Sequence, residues 1–322
     1  SMNGKKLFSK AMNRRNLLGS VGVLGAGAVL AACDTTPTPT PEPEPNTNYD
    51  AAILNFALNL EYLEAAFYLA AVGRIGEIRS IGGNAEIRLP TGFDGNTAIV
   101  FDNDAVRQYA EEIAQDELDH VVFIRTALAG LGAPVAERPV IDLGGAFAAA
   151  ANAAVKTTLS PAFNPFANEL FFLHGAFIFE DVGVTAYKGA APLITDAKTV
   201  LAKSAGILSV EAYHSGEIRT LLYQQKDVDA YPGVKVEAVV KAISDLRAAV
   251  GGGKDQGIVV DGKANIVVAD QNGVAFSRTP REVANIVFLD TTGAALKGGF
   301  YPDGLSIPAD LADDFAVLLS LK

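Results

Sequence analysis

Cysteine is almost absent from this sequence, since Cys33 is the only one in 322 residues. A single cysteine cannot close a disulfide within the chain, and it cannot build a metal site from several thiolates. Histidine is nearly as scarce, with three in the whole chain. Any metal site must therefore draw mainly on carboxylates.

Basic residues are also few, with 26 lysines and arginines against 37 acidic residues and a formal net charge of −11. Residues 1–33 contain five of these basic residues and no acidic one. Without that segment the chain has 21 basic and 37 acidic residues, a formal charge of −16. Such a body repels the phosphate backbone, so we expect no nucleic-acid partner.

The apolar run from Leu17 to Ala32 is short, with 16 residues that include four glycines. A membrane-spanning helix needs about 20 apolar residues, so the run is typical of a signal peptide. It ends at Cys33 in Leu-Ala-Ala-Cys, which resembles a bacterial lipoprotein cleavage box. The paired Arg14 and Arg15 before it resemble a twin-arginine signal, with an ordinary Sec signal as the alternative.

These features predict an exported protein, anchored to a membrane by a lipid on Cys33 and facing the periplasm or the cell exterior. Residues 34–48 are rich in proline and predict an extended tether. With residues 1–33 as the signal segment, the organisation continues with a helical bundle at 49–230. A smaller module of mixed helices and strands follows at 231–322.

Two of the three histidines share one short motif, Glu-x-x-His, at Glu117–His120 and at Glu211–His214. Residues three apart on a helix lie on one face, so each motif offers a carboxylate and an imidazole to one point. A single copy would suit a solvated surface. The repetition of the motif favours a metal site.

A second repeated pattern precedes each of these motifs. Glu61 is followed seven residues later by Tyr68, and Glu180 is followed seven residues later by Tyr187. Seven residues are almost two helical turns, so each tyrosine shares a face with its glutamate. The order Glu, Glu-x-x-His, Glu, Glu-x-x-His matches the ligands of a dinuclear iron or manganese site in a four-helix bundle.

Helical patterns surround these residues at about 49–72, 104–128, 165–187 and 194–223. Residues 73–100 interrupt the first pair with glycines and short apolar pieces, which predict an inserted loop or hairpin. The fold class is therefore an all-α core, an antiparallel four-helix bundle with a Gly-rich insertion and a small mixed C-terminal module.

Residues 49–223 resemble the ferritin-like superfamily. More narrowly, four segments resemble the desiccation-related ferritin-like proteins of plants and bacteria, a likeness that extends over about residues 49–305. These segments are Leu-Asn-Leu-Glu-Tyr-Leu-Glu-Ala-Ala-Phe-Tyr (58–68), Phe-Glu-Asp-Val-Gly-Val-Thr-Ala-Tyr (179–187), Val-Glu-Ala-Tyr-His (210–214) and Phe-Ser-Arg-Thr-Pro (276–280). The resemblance implies a dinuclear metal centre but leaves the activity open.

Carried over position by position, the resemblance implies two iron or manganese ions per chain held by six ligands: Glu61, Glu117, His120, Glu180, Glu211 and His214. Glu64, Tyr68 and Tyr187 are expected to support these ligands, and Glu64 could also replace one. Alternatively, Glu64 is a glutamate on the helix surface, and the two tyrosines only pack in the core. His174 lies about 120° around the helix from Glu180 and is expected to miss the site.

A carboxylate-rich site with two imidazoles suits iron or manganese and disfavours copper. Our leading hypothesis is an extracytoplasmic protein that uses a small oxidant or a metal ion, by peroxide dismutation or by oxidation of ferrous iron. The competing hypothesis is a non-enzymatic structural or envelope protein of the stress response, whose metal stabilises the bundle. An iron-storage cage is disfavoured by the lipid anchor and the C-terminal module. A homo-oligomer is compatible with each hypothesis.

Overall fold

Helices dominate the computed structural model, which describes residues 48–321. The signal segment with Cys33 and nearly all of the Pro-rich tether lie outside the described residues. In chain order the helices are α1 (Asp50–Ala71), α2 (Ile75–Arg79), α3 (Asp104–Gly130), α4 (Gly145–Val155), α5 (Glu169–Ala190), α6 (Val200–Gln224), α7 (Val236–Val250), α8 (Pro280–Val287) and α9 (Ala312–Leu318). Single 3₁₀ turns lie at Ala191–Leu193 and Ala309–Leu311.

Six short strands accompany these helices: β1 (Ile87–Arg88), β2 (Ile141–Asp142), β3 (Asp229–Tyr231), β4 (Val234–Lys235), β5 (Val259–Val260) and β6 (Lys263–Ala264). They form three two-stranded sheets among the described residues. The pairs β3–β4 and β5–β6 are antiparallel, whereas β1 pairs with β2 in parallel. The predicted small mixed module after residue 230 is therefore present, with strands far shorter than its helices.

The four long helices α1, α3, α5 and α6 form the bundle, and α1 packs along α3 while α5 packs along α6. Helices α1 and α3 are antiparallel, since Tyr62 on α1 contacts Arg125 whereas Arg74, just after α1, contacts Gln115. Helices α5 and α6 are also antiparallel, because Asp181 bonds to Ser215 and Arg219 whereas Gly183, further along α5, lies against Glu211. The bundle is thus built from two antiparallel helix pairs, as predicted.

Helix α1 is the most enclosed of the four, since all its residues except Ala51 and Ala57 are buried. Its apolar residues surround the helix rather than forming one stripe, which is typical of a helix covered on every side. The segment Glu169–Leu193, which includes α5, is long and apolar enough to cross a membrane. Because 83% of its most apolar window is buried within the protein, we interpret it as a core helix.

Two bundle helices begin later than their sequence patterns predict, and local hydrogen bonds explain both. Helix α5 starts at Glu169 because the side chain of Asn168 accepts a hydrogen bond from the backbone N–H of Phe171. Helix α6 starts at Val200 because the preceding backbone is held elsewhere. The N–H groups of Thr195 and Asp196 donate to the carboxylate of Asp50, at 2.8 and 2.9 Å.

The Gly-rich insertion at 73–100 takes the form of a loop with one short helix, α2. It contains no hairpin among the described residues, because β1 pairs with β2, a strand that lies after α3. Residues Ile87 and Arg88 face Ile141 and Asp142 in this parallel pair. The insertion is thereby fastened to the segment that leaves α3.

The C-terminal module joins the bundle through buried ion pairs. Asp181 on α5 binds Arg219 and Arg247, each at 2.8 Å, and Asp255 binds Arg247 at 2.9 Å and Arg278 at 2.8 Å. Removing one member of such a network leaves a buried charge without a partner, at a cost of roughly 3–5 kcal/mol. The network therefore fixes α7 and the segment before α8 against α5.

Candidate metal centre

Each bundle helix contributes to one buried polar cluster in an otherwise apolar core. The glutamates Glu61 and Glu180 come from α1 and α5, while the Glu-x-x-His motifs come from α3 and α6. The six predicted ligands are at most 8% exposed. Ionised carboxylates are costly in such surroundings unless they are paired or bind metal.

The first half of the cluster centres on His120. Its Nδ1 lies 3.2 Å from Oε2 of Glu61, 3.5 Å from Oε2 of Glu117 and 3.7 Å from Oε1 of Glu211. One ligand atom from each of these four residues lies within 4.8 Å of the other three. A single cation could contact all four.

The second half centres on His214, whose Nδ1 lies 3.0 Å from Oε1 of Glu117 and 3.6 Å from Oε2 of Glu180. These three residues also bring ligand atoms within 4.8 Å of one another. Glu117 belongs to both halves and directs one oxygen toward each histidine. That arrangement suits a carboxylate that bridges two cations, which the sequence could not assign.

Most of the ligand atoms lack hydrogen bonds to any described residue. Both oxygens of Glu117 and of Glu211, Oε2 of Glu180 and Nδ1 of His214 are buried without such a bond. The short contacts between Glu117 and the histidines do not have hydrogen-bonding geometry, so the lone pairs point toward shared space. Unpartnered buried polar atoms are rare in proteins. The residues present therefore fit metal ions well.

The two tyrosines bind across the bundle. The hydroxyl of Tyr68 on α1 donates to Oε1 of Glu180 on α5, and the hydroxyl of Tyr187 on α5 donates to Oε1 of Glu61 on α1. Each tyrosine shares a helix face with its own glutamate but bonds to the glutamate of the other helix. Each pair leaves the second glutamate oxygen directed toward the cluster.

Glu64 is buried beside the cluster but belongs to neither four-atom nor three-atom group. Its equivalent in the second half of the bundle is Gly183, three residues after Glu180. A Cβ at Gly183 would lie 2.1 Å from Oε2 of Glu211, so this glycine leaves room for that ligand. The two halves of the site are therefore similar but not identical.

Asp116 adjoins Glu117 in the sequence, so helix geometry predicts that it points away from the ligands, but the structure places it beside one of them. Its Oδ2 lies 3.0 Å from Nε2 of His214, so Nε2 carries the proton that it donates. The Nδ1 lone pair then faces the cluster, as a metal ligand requires. The equivalent position before Glu211 is Val210, which has no polar side chain, so among residues 48–321 only His214 has such a partner. The contact between Asp116 and His214 depends on how α3 packs against α6, which no local sequence pattern shows.

Burial governs the carboxylates of the metal-free cluster. It raises the pKa of Glu61 to about 7 and the pKa of Glu180 to about 8. Burial, followed by the negative charge of Glu117, raises the pKa of both Glu64 and Glu211 well above the ordinary range. Several carboxyl groups therefore retain protons near neutral pH when no cation is bound.

At the central glutamate and the two histidines, by contrast, the neighbouring groups favour the charged form. Burial acts to raise the pKa of Glu117, but the adjacent positive charges of His120 and His214 hold it below its usual value. Burial acts to lower the pKa of both histidines, yet neighbouring carboxylates raise each to about 11. In the metal-free protein, protonated imidazoles thus balance the negative charge of the ionised carboxylates in the cluster.

His174 lies outside both groups, as expected from its helix position. Its Nδ1 lies 2.8 Å from the backbone carbonyl of Leu170, which can only accept, so Nδ1 donates. Asp181, although adjacent to Glu180, points away from the cluster into the ion-pair network described above.

A helical bundle that encloses two overlapping Glu and His groups, each able to bind a metal ion, defines a class of carboxylate metalloproteins. The ferritin-like domain family matches residues 49–224, and the chain belongs to this family. It is 34% identical over 72% of its length to a desiccation-related protein of Craterostigma plantagineum, of which 75% is covered. It is 28% identical over 79% of its length to a ferritin-like catalase of Nesocodon mauritianus, of which 83% is covered. No solved structure matches it.

Proposed function

We propose that this protein is an exported, stress-protective ferritin-like protein with two iron or manganese ions, which consumes peroxide or oxygen or oxidises ferrous iron. One observation carries the proposal: Glu117 directs one oxygen toward each of two histidines, with no hydrogen-bond partner among the described residues for either oxygen. A single buried carboxylate between two imidazoles suits a bridging ligand.

The six ligands named above would hold the metal pair, with Glu211 near the His120 group and Glu180 near the His214 group. Their hard oxygen and imidazole donors favour iron or manganese. When bound, such a pair supplies reversible electron transfer to a small oxidant. Glu64 lies one turn from Glu61, and after burial the negative charges of the cluster also raise its pKa.

Burial of the ligands restricts the size of the substrates that can reach the metal site. All six ligands are buried under apolar residues of four helices, so a large substrate cannot contact them. Peroxide, oxygen and a bare metal ion are small enough to pass through transient openings. The tyrosine hydroxyls keep Glu61 and Glu180 in place, and Asp116 orients the ring of His214 so that Nδ1 faces the cluster.

The name of one relative supports a redox role over a purely structural one. One relative is a ferritin-like catalase, which favours peroxide as substrate, and the other is named for desiccation, which favours a role in stress. Within this proposal, peroxide dismutation is the first reaction to test.

A second candidate function is a non-enzymatic stress or envelope protein. The near-complete burial of the ligands favours it, because a metal ion enclosed by four helices would also fasten them together. Binding to the folded protein alone raises stability without any turnover.

The experiment loads purified protein with iron or manganese, counts the metal by elemental analysis and then measures oxygen evolution from peroxide and oxidation of ferrous iron. We expect about two ions per chain and turnover that His120→Ala and His214→Ala abolish. Full loading without turnover would support the structural alternative, and absence of metal would overturn both. Loading of many iron atoms per chain would indicate storage.

A further inference from the structure

Buried polar atoms without a hydrogen bond to a described residue fall into two groups. Six belong to the metal centre. The other three are Nε2 of His174, the hydroxyl of Tyr231 and Nε of Arg247. All three residues line one cavity, which includes none of the predicted metal ligands. Unpartnered atoms gathered at one cavity indicate a missing polar partner there.

The cavity lies between α4, α5 and α7, with the end of α8 closing one side. Its volume is about 80 Å³, and its walls are mostly apolar, formed by side chains such as Ala150, Ile178 and Ile243. One water molecule needs about 10–15 Å³ by the same measure, so the space could hold roughly five to eight non-hydrogen atoms. An occupant must therefore be small and largely apolar.

His174 presents an acceptor to this cavity. Because Nδ1 donates to the carbonyl of Leu170, Nε2 of the neutral ring has a lone pair. Burial lowers the pKa of His174 to about 4, so the ring is neutral at physiological pH. The histidine is 1% exposed, which leaves the cavity as the source of a donor.

Arg247 presents a donor. Its two terminal nitrogens already have acceptors, because they bind Asp181, Asp255 and the carbonyl of Phe177. The Nε–H group remains without a partner among the described residues. The Tyr231 hydroxyl, which can donate or accept, is the third polar atom. A matching head group must donate once, to His174, and accept at least once, as a hydroxyl group does.

We propose that this cavity binds a small uncharged alcohol of phenol size, whose hydroxyl donates to Nε2 of His174 and accepts from Arg247 or Tyr231. A carboxylate cannot donate to the histidine, and an ammonium group would meet the arginine. A pure hydrocarbon would leave all three polar atoms unpartnered. The apolar walls hold the ring or chain of the alcohol, and binding does not depend on the metal centre.

The test compares phenol with toluene, which has nearly the same shape but a methyl group in place of the hydroxyl. Titration calorimetry on the full chain should give a dissociation constant for phenol on the order of 0.1–1 mM. Toluene should bind at least about 10-fold more weakly, because it leaves buried polar groups unpaired.

Three variants locate the binding. His174→Leu should reduce the preference for phenol over toluene to within about 2-fold, whereas His174→Gln, which retains an acceptor, should restore part of it. Ala150→Leu fills the cavity and should abolish binding of both probes. Metal content and the circular dichroism spectrum should be unchanged in all three variants, which separates this site from the metal centre.

Equal affinity for the two probes in the unaltered protein would overturn the proposal. Phenol binding that survives both Ala150→Leu and His174→Leu would place the ligand elsewhere and also overturn it. No binding of phenol below about 10 mM would mean that the cavity holds only water.

Discussion

Oδ2 of Asp116 lies 3.0 Å from Nε2 of His214, although the two residues are 98 positions apart in the chain. The contact joins α3 to α6 and gives one of the two ligand histidines a carboxylate partner. Such a partner orients the ring and raises its strength as a ligand.

Replacing Asp116 should therefore weaken metal binding without removing a ligand. We expect Asp116→Ala to lower metal affinity by about 10- to 100-fold, measured by competition with a chelator. Asp119→Ala is the matched control, because Asp119 is exposed on the same helix and its side chain accepts a hydrogen bond from Gln115, not from a ligand. Equal affinities for the two variants would contradict a role for Asp116.

Gly183→Ala should displace a ligand. The added Cβ would lie 2.1 Å from Oε2 of Glu211, so this carboxylate must move out of the first half of the cluster. We expect fewer metal ions per chain by elemental analysis. Gly206→Ala on α6 is the control, since no atom lies within 4 Å of its added Cβ. The control should keep its metal and gain about 0.5–1 kcal/mol of stability.

Metal binding should release protons. Burial raises the pKa of Glu61 and Glu180, and their carboxylate neighbours raise those of His120 and His214, so the metal-free site holds extra protons at pH 7. These protons compete with the metal, so affinity should increase with pH until the ligands are fully ionised. Calorimetry in buffers of different ionisation enthalpy measures the protons released. Identical heats in every buffer would contradict this prediction.

Metal should also raise the melting temperature, because it binds the folded bundle and hardly the unfolded chain. His120→Ala and His214→Ala should lose most of this gain while keeping a folded metal-free bundle. His174→Ala should keep the gain, since His174 belongs to neither ligand group. Loss of the gain in His174→Ala alone would show that the ligand assignment is wrong.

His174 should make the metal-free protein less stable in acid. Burial lowers its pKa to about 4, against about 6.5 in the unfolded chain, so the unfolded state binds more protons between these values. The free energy of unfolding should therefore fall as pH decreases through this window, by about 3 kcal/mol in total. His174→Leu should lack this part of the loss. Denaturant titrations of both proteins at pH 7 and pH 4 measure the difference.

Cys33→Ala tests the proposed anchor. If a lipid on Cys33 holds the exported protein at a membrane, the variant should appear in the soluble fraction or remain unprocessed. Fractionation of cells that express each form gives the answer. A variant that sediments with membranes as the unaltered protein does would show that the lipoprotein interpretation is wrong.

The sequence by itself determined the helix pairs and the residue types at the cluster. A Glu-x-x-His motif places its two ligands on one face in any helix, because helical geometry alone fixes that spacing. The repeat of the motif, with Glu61 and Glu180 in matching positions, was therefore enough to predict four converging helices. Local patterns were less accurate at helix starts, where the hydrogen bonds of Asn168 and Asp50 decide the boundary.

Only the tertiary structure decided how these side chains divide the site. The place of Glu117 in both halves, the crossed bonds of Tyr68 and Tyr187 and the contact of Asp116 with His214 all join different helices. Spacing along one helix cannot specify such contacts, because they depend on the rotation and offset of two packed helices. The same packing created the cavity beside His174, which no local pattern in the sequence indicates.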